Sequence, residues 1–356
     1  MTSVDITSKH VKRVNTDALQ AAMDSREEEK KDAEKNLMQD DAQGAASDKP
    51  VTTLSSCVDY TDIQDDELYY VGTAGVKVTE LDEVETLHNL KKLHVRSNLL
   101  RSMSHVASLV QLEHLELYDN QIQAIDGVQE LVHLKVLDLS FNAIRVIPNL
   151  SHLHQLEELY VANNKLKKIA GIANLPKLRK LDLGANRLRV IEGLDGLVEL
   201  RELWLGKNKI TAIEGLETLT KLKILSVQSN RLETITRLTN NIELEELYLS
   251  HNGIEKIENI DHLTNLVALD LAGNRIAAIP ANLAPLSPLA DLWLNDNHIA
   301  HYADVENLMP LVGLRTLYLE RNPLALDFEY RKKLEELLPQ LDQIDATPAR
   351  KKVGLV

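Results

Sequence analysis

Aromatic residues are scarce in this sequence. Its 356 residues include two Phe, two Trp and nine Tyr, only 4% of the chain, whereas 44% of the residues are hydrophobic. The core must therefore consist mainly of aliphatic side chains such as Leu and Ile. Because such side chains fill a long core most simply when they recur at fixed positions, a repeating sequence is the first arrangement to test.

Cysteine, basic charge and long apolar runs are also lacking. The single Cys57 excludes an intramolecular disulfide, and the first residues, MTSVDITSKHVKRV, lack the apolar core of a secretory signal, so we expect an intracellular protein. No run approaches the roughly eighteen apolar residues of a membrane span. The net charge of -14 disfavours nucleic acid and anionic membranes as partners and favours a basic protein.

The N-terminal segment differs in composition from the rest. It contains the charged stretch REEEKKDAEKNLMQDDAQGAASDK and few branched apolar residues. Such a composition predicts a disordered acidic tail over residues 1–61. This tail serves either to keep the chain soluble or as a short partner-binding segment, and the sequence leaves both open.

From Leu90 onward the pattern LxxLxLxxN recurs, as in LEHLELYDN and LRELWLGKN. Nine of its asparagines are spaced 22 residues apart, and two follow at looser spacing: Asn98, Asn120, Asn142, Asn164, Asn186, Asn208, Asn230, Asn252, Asn274, then Asn297 and Asn322. This period predicts a repeat solenoid over residues 62–322. Residues 62–89 keep the leucine spacing without an asparagine at the ladder position, so we interpret them as a degenerate capping repeat. Residues 323–348 have a helical apolar pattern typical of a C-terminal cap, and residues 349–356 form a tail.

Each repeat has two halves with different periods. The LxLx half alternates with period two and predicts a short parallel strand with its leucines turned inward. The asparagine after the strand can satisfy backbone groups of the turn, so we expect a ladder of asparagines along the array. The IxxIxGLxxL half is long enough only for a turn or a short helix. The fold class predicted is an α/β leucine-rich-repeat solenoid, with a curved parallel sheet on its concave face.

Three outward-facing rows of the predicted strands would line the concave face. The central row is His94, Glu116, Asp138, Tyr160, Asp182, Trp204, Ser226, Tyr248, Asp270, Trp293 and Tyr318. With the rows two residues before and after it, the face contains nine acidic and three basic side chains and six of the thirteen aromatic residues, including both tryptophans. Clustered Trp and Tyr are typical anchors of protein interfaces, and acidic side chains steer a basic partner.

Other interpretations of this face are weaker. Rings that simply cover the sheet would explain the aromatic residues but not the acids between them. Paired carboxylates on an open surface lack the water exclusion that catalysis needs, so we expect no enzymatic activity. His94, His114 and Glu116 could approach one another as metal ligands, but a solvated cluster is favoured; we expect no metal and no cofactor.

The repeats LYDNQI, LDLSFN, LWLGKNKI, LYLSHNGIE and LWLNDN, with YLERNPL and QLDQIDAT at the end, closely resemble the leucine-rich-repeat regulatory subunits of protein phosphatase 1, the regulatory subunit 7 family. The likeness covers about residues 65–348. It implies a non-catalytic subunit of the nucleus and cytoplasm that binds the phosphatase catalytic subunit on its concave face, together with a small inhibitor protein.

The resemblance also implies which residues make contact. The matching positions are Asp138, Tyr160, Asp182, Trp204, Asp270, Asp291, Trp293 and Tyr318, to which the central-row Tyr248 is added. Tyr160 and Trp204 stand where the family commonly has phenylalanine, and Asp182 and Asp291 where it commonly has glutamate. Contact is expected with altered affinity. The alternative function is that of a repeat scaffold of another complex, of the spliceosomal or axonemal type.

Overall fold

A computed structural model describes residues 51–63 and 66–350, apart from the side chain of Asp62. In this part of the chain fourteen strands form one sheet in sequence order. They are β1 Glu67–Val71, β2 Lys92–Arg96, β3 His114–Glu116, β4 Val136–Asp138, β5 Glu158–Tyr160, β6 Lys180–Asp182, β7 Glu202–Trp204, β8 Ile224–Ser226, β9 Glu246–Tyr248, β10 Ala268–Asp270, β11 Asp291–Trp293, β12 Thr316–Tyr318, β13 Gln343–Ile344 and β14 Thr347–Pro348. All neighbours are parallel except β13 and β14. The predicted fold class is confirmed.

Helical structure is sparse and lies between strands. Within residues 51–63 and 66–350 the α-helices are α1 Tyr302–Glu306 and α2 Tyr330–Leu337. Short 3-10 turns occupy Tyr60–Asp62, Val84–Thr86, Ser104–Ser108, Ala281–Leu283 and Pro323–Leu326. No helix of the described residues has the length and apolar character needed to cross a membrane. Most of each 22-residue turn is extended chain that forms hydrogen bonds with the adjacent turns. Few residues of a turn therefore remain to form a helix.

The asparagine ladder predicted from the sequence is confirmed. At Asn208, Oδ1 accepts a hydrogen bond from the Leu188 backbone N–H of the preceding turn at 3.0 Å. Its Nδ2 donates to the carbonyls of Leu183 and Leu205, both at 3.0 Å. The residue before each of the eleven ladder asparagines has a positive φ of 50° to 62°, although only Gly273 among them is a glycine. The ladder therefore imposes a tight turn against local preference.

Both ends of the core are covered. Residues 51–61, expected in the acidic tail, are instead folded: Leu54 is buried, its N–H donates to the Glu80 carbonyl at 3.1 Å, and the Tyr60 hydroxyl donates to the Asp82 carbonyl at 2.9 Å. Leu54 covers the open end of the core together with the partly buried Cys57 and Val58, which pack against it. The compact unit begins at Val51. The rest of the predicted tail, residues 1–50, lies outside the described residues.

The C-terminal end of the core is covered by helix α2 and by residues around Asp345. Leu334 and Leu338 are buried, as the helical pattern predicts. Asp345 Oδ1 accepts the backbone N–H groups of Leu319 and Glu320 at 2.9 Å each, which satisfies the backbone just beyond strand β12. Of the predicted tail at 349–356, the Ala349 N–H donates to the Asp342 carbonyl at 2.8 Å, and residues 351–356 are not described.

Candidate partner-binding face

Strand register brings the three predicted rows together. In every parallel pair the central-row residues are opposite one another, as Tyr160 is to Asp182 and Trp293 is to Tyr318. The leucines between the rows are buried. We call the solvent side of β2 to β12, with its three rows, the sheet face. Because successive residues of a strand point to opposite sides, acids and rings are displayed without disturbing the leucine core.

The nine predicted contact residues all lie in strands β4 to β12 on the sheet face. Asp182 and Tyr248 are buried by their neighbours, at 8% and 5% exposure, whereas Trp204, Trp293 and Tyr318 are partly exposed. The structure therefore brings the predicted residues onto one surface. Whether they bind a partner stays a prediction.

Three glutamates were predicted to lie on this face but were not among the predicted contact residues, although they are hydrogen-bonded to the predicted rings. Tyr160 donates its hydroxyl to Glu158 at 2.6 Å, and Tyr248 donates to Glu246 at 2.7 Å. The indole N–H of Trp204 donates to Glu202 at 3.3 Å. The signal in the sequence is the triplet Glu-Leu-Tyr or Glu-Leu-Trp on β5, β7 and β9. Each glutamate holds its ring in place and keeps a carboxylate at the surface.

Four of the predicted contact rings meet in two pairs. Trp204 and Tyr248 stack with their ring centres 6.1 Å apart, although they stand on β7 and β9. Ser226 of the intervening β8 is small and buried, which leaves room for the two rings to meet. Trp293 and Tyr318 form the second group, with ring centres 6.5 Å apart. Rings that are braced in this way lose little freedom when a partner covers them.

Several carboxylates of the sheet face are poorly solvated. Burial raises the pKa of Asp138, Asp270 and Asp291, and it also raises the pKa of Glu246. Asp138 and Asp270 partly offset this by accepting a backbone N–H two residues on, from Ser140 at 2.8 Å and from Ala272 at 3.0 Å. A charge kept away from water gains most when a cation of a partner approaches it.

The N-terminal end of the face contains the histidine cluster. His94 lies between two glutamates, with Nδ1 3.0 Å from Glu116 and Nε2 3.6 Å from Glu67. His114 is on the neighbouring strand, where burial lowers its pKa. Among the described residues no three His, Cys, Asp or Glu side chains are grouped so that they could hold a metal ion. The cluster is accounted for by contacts of His94 with glutamates on the two neighbouring strands.

Two family profiles match this chain. A profile described as leucine-rich repeat matches residues 232–353, and one described as leucine-rich repeats in two copies matches four segments between 110 and 240. Among solved structures, the chain is similar to a leucine-rich-repeat protein of Leptospira interrogans at 29% identity and a TM-score of 0.70, over 75% of this chain and 69% of that one. It is also similar to an internalin of Listeria monocytogenes at 26% identity and a TM-score of 0.66, over 80% and 88%.

Curated relatives match shorter segments. Protein phosphatase 1 regulatory subunit 7 of Xenopus tropicalis is 48% identical over 52 residues, 15% of this chain and 15% of the relative. Protein phosphatase 1 regulatory subunit SDS22 of Schizosaccharomyces pombe is 43% identical over 68 residues, 18% of this chain and 20% of the relative. The match thus spans a fifth or less of these relatives' length. Over these segments it confirms the resemblance found in the repeats.

Proposed function

We propose that this chain, a member of the leucine-rich-repeat family, is a non-catalytic regulatory subunit that binds the catalytic subunit of protein phosphatase 1 through the sheet face. Binding would modulate the activity, maturation or targeting of the phosphatase. The observation that carries this proposal is the acidic and aromatic surface in register on β4 to β12. The names of the relatives, all regulatory subunits of this phosphatase, support the choice of partner.

The aromatic and the acidic side chains would have different roles in the complex. Each buried aromatic anchor of a protein interface contributes about 2 kcal/mol or more, whereas an exposed ion pair contributes roughly 0 to 1 kcal/mol. Trp204 and Trp293, partly exposed and braced by tyrosines, are suited to supply affinity. Asp138, Asp270 and Asp291 are suited to select a basic patch on the partner, since their charges are incompletely solvated.

A titration of the purified chain with purified phosphatase 1 catalytic subunit tests the proposal. We expect a saturable complex with one copy of each protein, and the absence of heat or of a shifted elution volume would contradict it. A small inhibitor protein of the phosphatase, added next, is expected to join the complex rather than displace the chain. Affinity capture from lysate, with mass spectrometry, separates this function from the alternative, because recovery of spliceosomal or axonemal proteins without phosphatase would favour the other scaffold.

A further inference from the structure

The residues directly after the ladder asparagines form a row beyond the C-terminal ends of the strands. We call this side of the sheet, where successive strands end, one edge of the sheet. From Leu99 to His298 the backbone N–H groups of these residues donate at 2.7 to 2.9 Å to a carbonyl of the preceding turn, which fixes them in register. On four consecutive turns this residue is basic: Lys165, Arg187, Lys209 and Arg231. Because neighbouring turns are about 4.8 Å apart, four cationic side chains stand in line over roughly 15 Å.

A second basic row accompanies the first. Two residues further along each turn stand Arg145, Lys167 and Arg189, again on consecutive turns. These three side chains are exposed. We call the two rows together the basic edge, which comprises Arg145, Lys165, Lys167, Arg187, Arg189, Lys209 and Arg231. The second row changes sign at Glu233, so the run of one charge is limited to these turns.

The basic edge lacks counter-charges within the described part of the chain. None of its seven side chains forms a salt bridge or a hydrogen bond there, whereas the nearby Lys168 lies 3.7 Å from Glu192. This is unexpected in a chain with a net charge of -14. Acidic residues are plentiful in the sequence, yet none of those that the structure describes forms an ion pair with this row.

At the opposite edge, before the N-terminal ends of the strands, the basic side chains of a similar row are neutralised by acidic neighbours. There, residues just before the strands pair across adjacent turns: Lys91 with Asp66 at 2.7 Å, Lys135 with Glu113 at 2.5 Å, Arg179 with Glu157 at 3.3 Å and Lys223 with Glu245 at 2.6 Å. We call this row the paired edge. Like charges on neighbouring strands repel each other, so the basic edge carries a cost that the paired edge avoids.

We propose that the basic edge binds an acidic, extended peptide segment of a partner protein. A segment rich in Asp or Glu and about five residues long would span the 15 Å row. The edge matches such a segment better than it matches nucleic acid, because the run of cations is short and the chain as a whole is strongly negative, so a longer polyanion would be repelled beyond the edge. The sheet face is a separate surface, and this site does not depend on the phosphatase proposal.

The test uses the full-length chain and a fluorescein-labelled peptide of about six glutamates, whose anisotropy reports binding. The variant carries Lys165→Glu, Arg187→Glu and Lys209→Glu. The matched control carries Lys135→Glu, Arg179→Glu and Lys223→Glu on the paired edge and has the same net charge. We expect the first variant to bind the peptide at least about tenfold more weakly than the unmodified chain, and the control to change affinity less than about twofold.

Three results would overturn the proposal. They are a failure of the glutamate peptide to bind the unmodified chain, equal losses in the two triple variants, and tighter binding of a homothymidine oligonucleotide than of the peptide. A neutral variant with glutamine at the same three positions guards against misfolding, and it is expected to lose less affinity than the charge reversal. Added salt should weaken binding of the glutamate peptide, because exposed charges are screened.

Discussion

The inward and outward rows of the same strands follow opposite rules. Inward positions repeat the same residue turn after turn, as with Leu203, Leu225 and Leu247, and each is buried completely. Outward positions of the central row change from each turn to the next, so that Trp204 is followed by Ser226 and then by Tyr248. A solenoid needs identical neighbours to stack, whereas a binding surface needs a particular sequence of groups. Stability should therefore depend on the inward rows and binding on the outward rows.

The largest effect is expected from the two tryptophans. Replacing Trp204 and Trp293 together by alanine should weaken binding to the phosphatase catalytic subunit by about a hundredfold or more, because two interface anchors are lost. The free energy of unfolding should change by about 1 kcal/mol or less, since the rings are partly exposed. Isothermal titration and denaturant unfolding measure the two quantities. The matched variant with phenylalanine at both positions should retain most of the affinity; equal binding by the alanine variant would refute the role of the rings.

Replacing a ladder asparagine should have the reverse effect: the free energy of unfolding should fall, whereas phosphatase affinity should change little. Asn208→Ala leaves the buried Leu188 N–H without its side-chain partner, whereas the carbonyls of Leu183 and Leu205 each keep a hydrogen bond from a neighbouring ladder asparagine, Asn186 and Asn230. One unsatisfied buried group costs about 1 to 3 kcal/mol, and the free energy of unfolding should fall by roughly that amount. Denaturant unfolding measures the loss, and Lys209→Ala, one residue further on, serves as the control with almost no change. A ladder variant as stable as the unmodified chain would show that the asparagines are dispensable.

A smaller effect should come from a buried carboxylate. Burial raises the pKa of Asp270 in the folded chain, so its contribution to stability is present at low pH and is lost as the pH rises through that raised pKa. Asp270→Asn removes the buried charge while keeping an oxygen for the Ala272 N–H. The variant should therefore be more stable than the unmodified chain at neutral pH, with the gain disappearing below the ordinary carboxyl pKa of about 4. Unfolding midpoints across pH test this, and a constant difference would contradict it.

Asp270→Asn should also weaken phosphatase binding at neutral pH, where the carboxylate is charged. This opposite sign for stability and affinity is what distinguishes a functional charge from a structural one. A variant that gains stability without losing affinity would mean that Asp270 does not face the partner.

The smallest effect is expected on the paired edge. Lys223 and Glu245 are 2.6 Å apart, with 41% and 47% of their side chains exposed. Lys223→Ala should change the free energy of unfolding by about 0.5 kcal/mol or less and leave phosphatase affinity unaltered. A large loss of affinity would place the partner on that edge rather than on the sheet face.

Much of the fold follows from the sequence because a strict period fixes register. Once Asn98 and Asn120 are aligned, the position of each leucine and of each outward residue is determined. The irregular parts of the chain cannot be predicted from the repeat period. Leu54 covers the end of the core from within a polar stretch, and Asn241 occupies a buried leucine position where its Nδ2 donates to the carbonyls of Leu216 and Leu219.

The sequence predicts which residues lie in the candidate site, but not the contacts and burial of each side chain. Register places Asp138 and Trp204 on the sheet face from the sequence alone. Side-chain rotamers decide which ring reaches which carboxylate, as in the Tyr248 to Glu246 hydrogen bond, and neighbours decide how far an acid is buried. These properties depend on contacts across several turns, which a repeat pattern does not encode.

The sheet face can be observed directly, since both tryptophans of the chain lie on it. A chain labelled with fluorotryptophan should give two fluorine resonances, one from Trp204 and one from Trp293. Adding unlabelled phosphatase catalytic subunit is expected to shift or broaden both of them in step with complex formation. A complex that forms with both resonances unchanged would contradict binding through the sheet face.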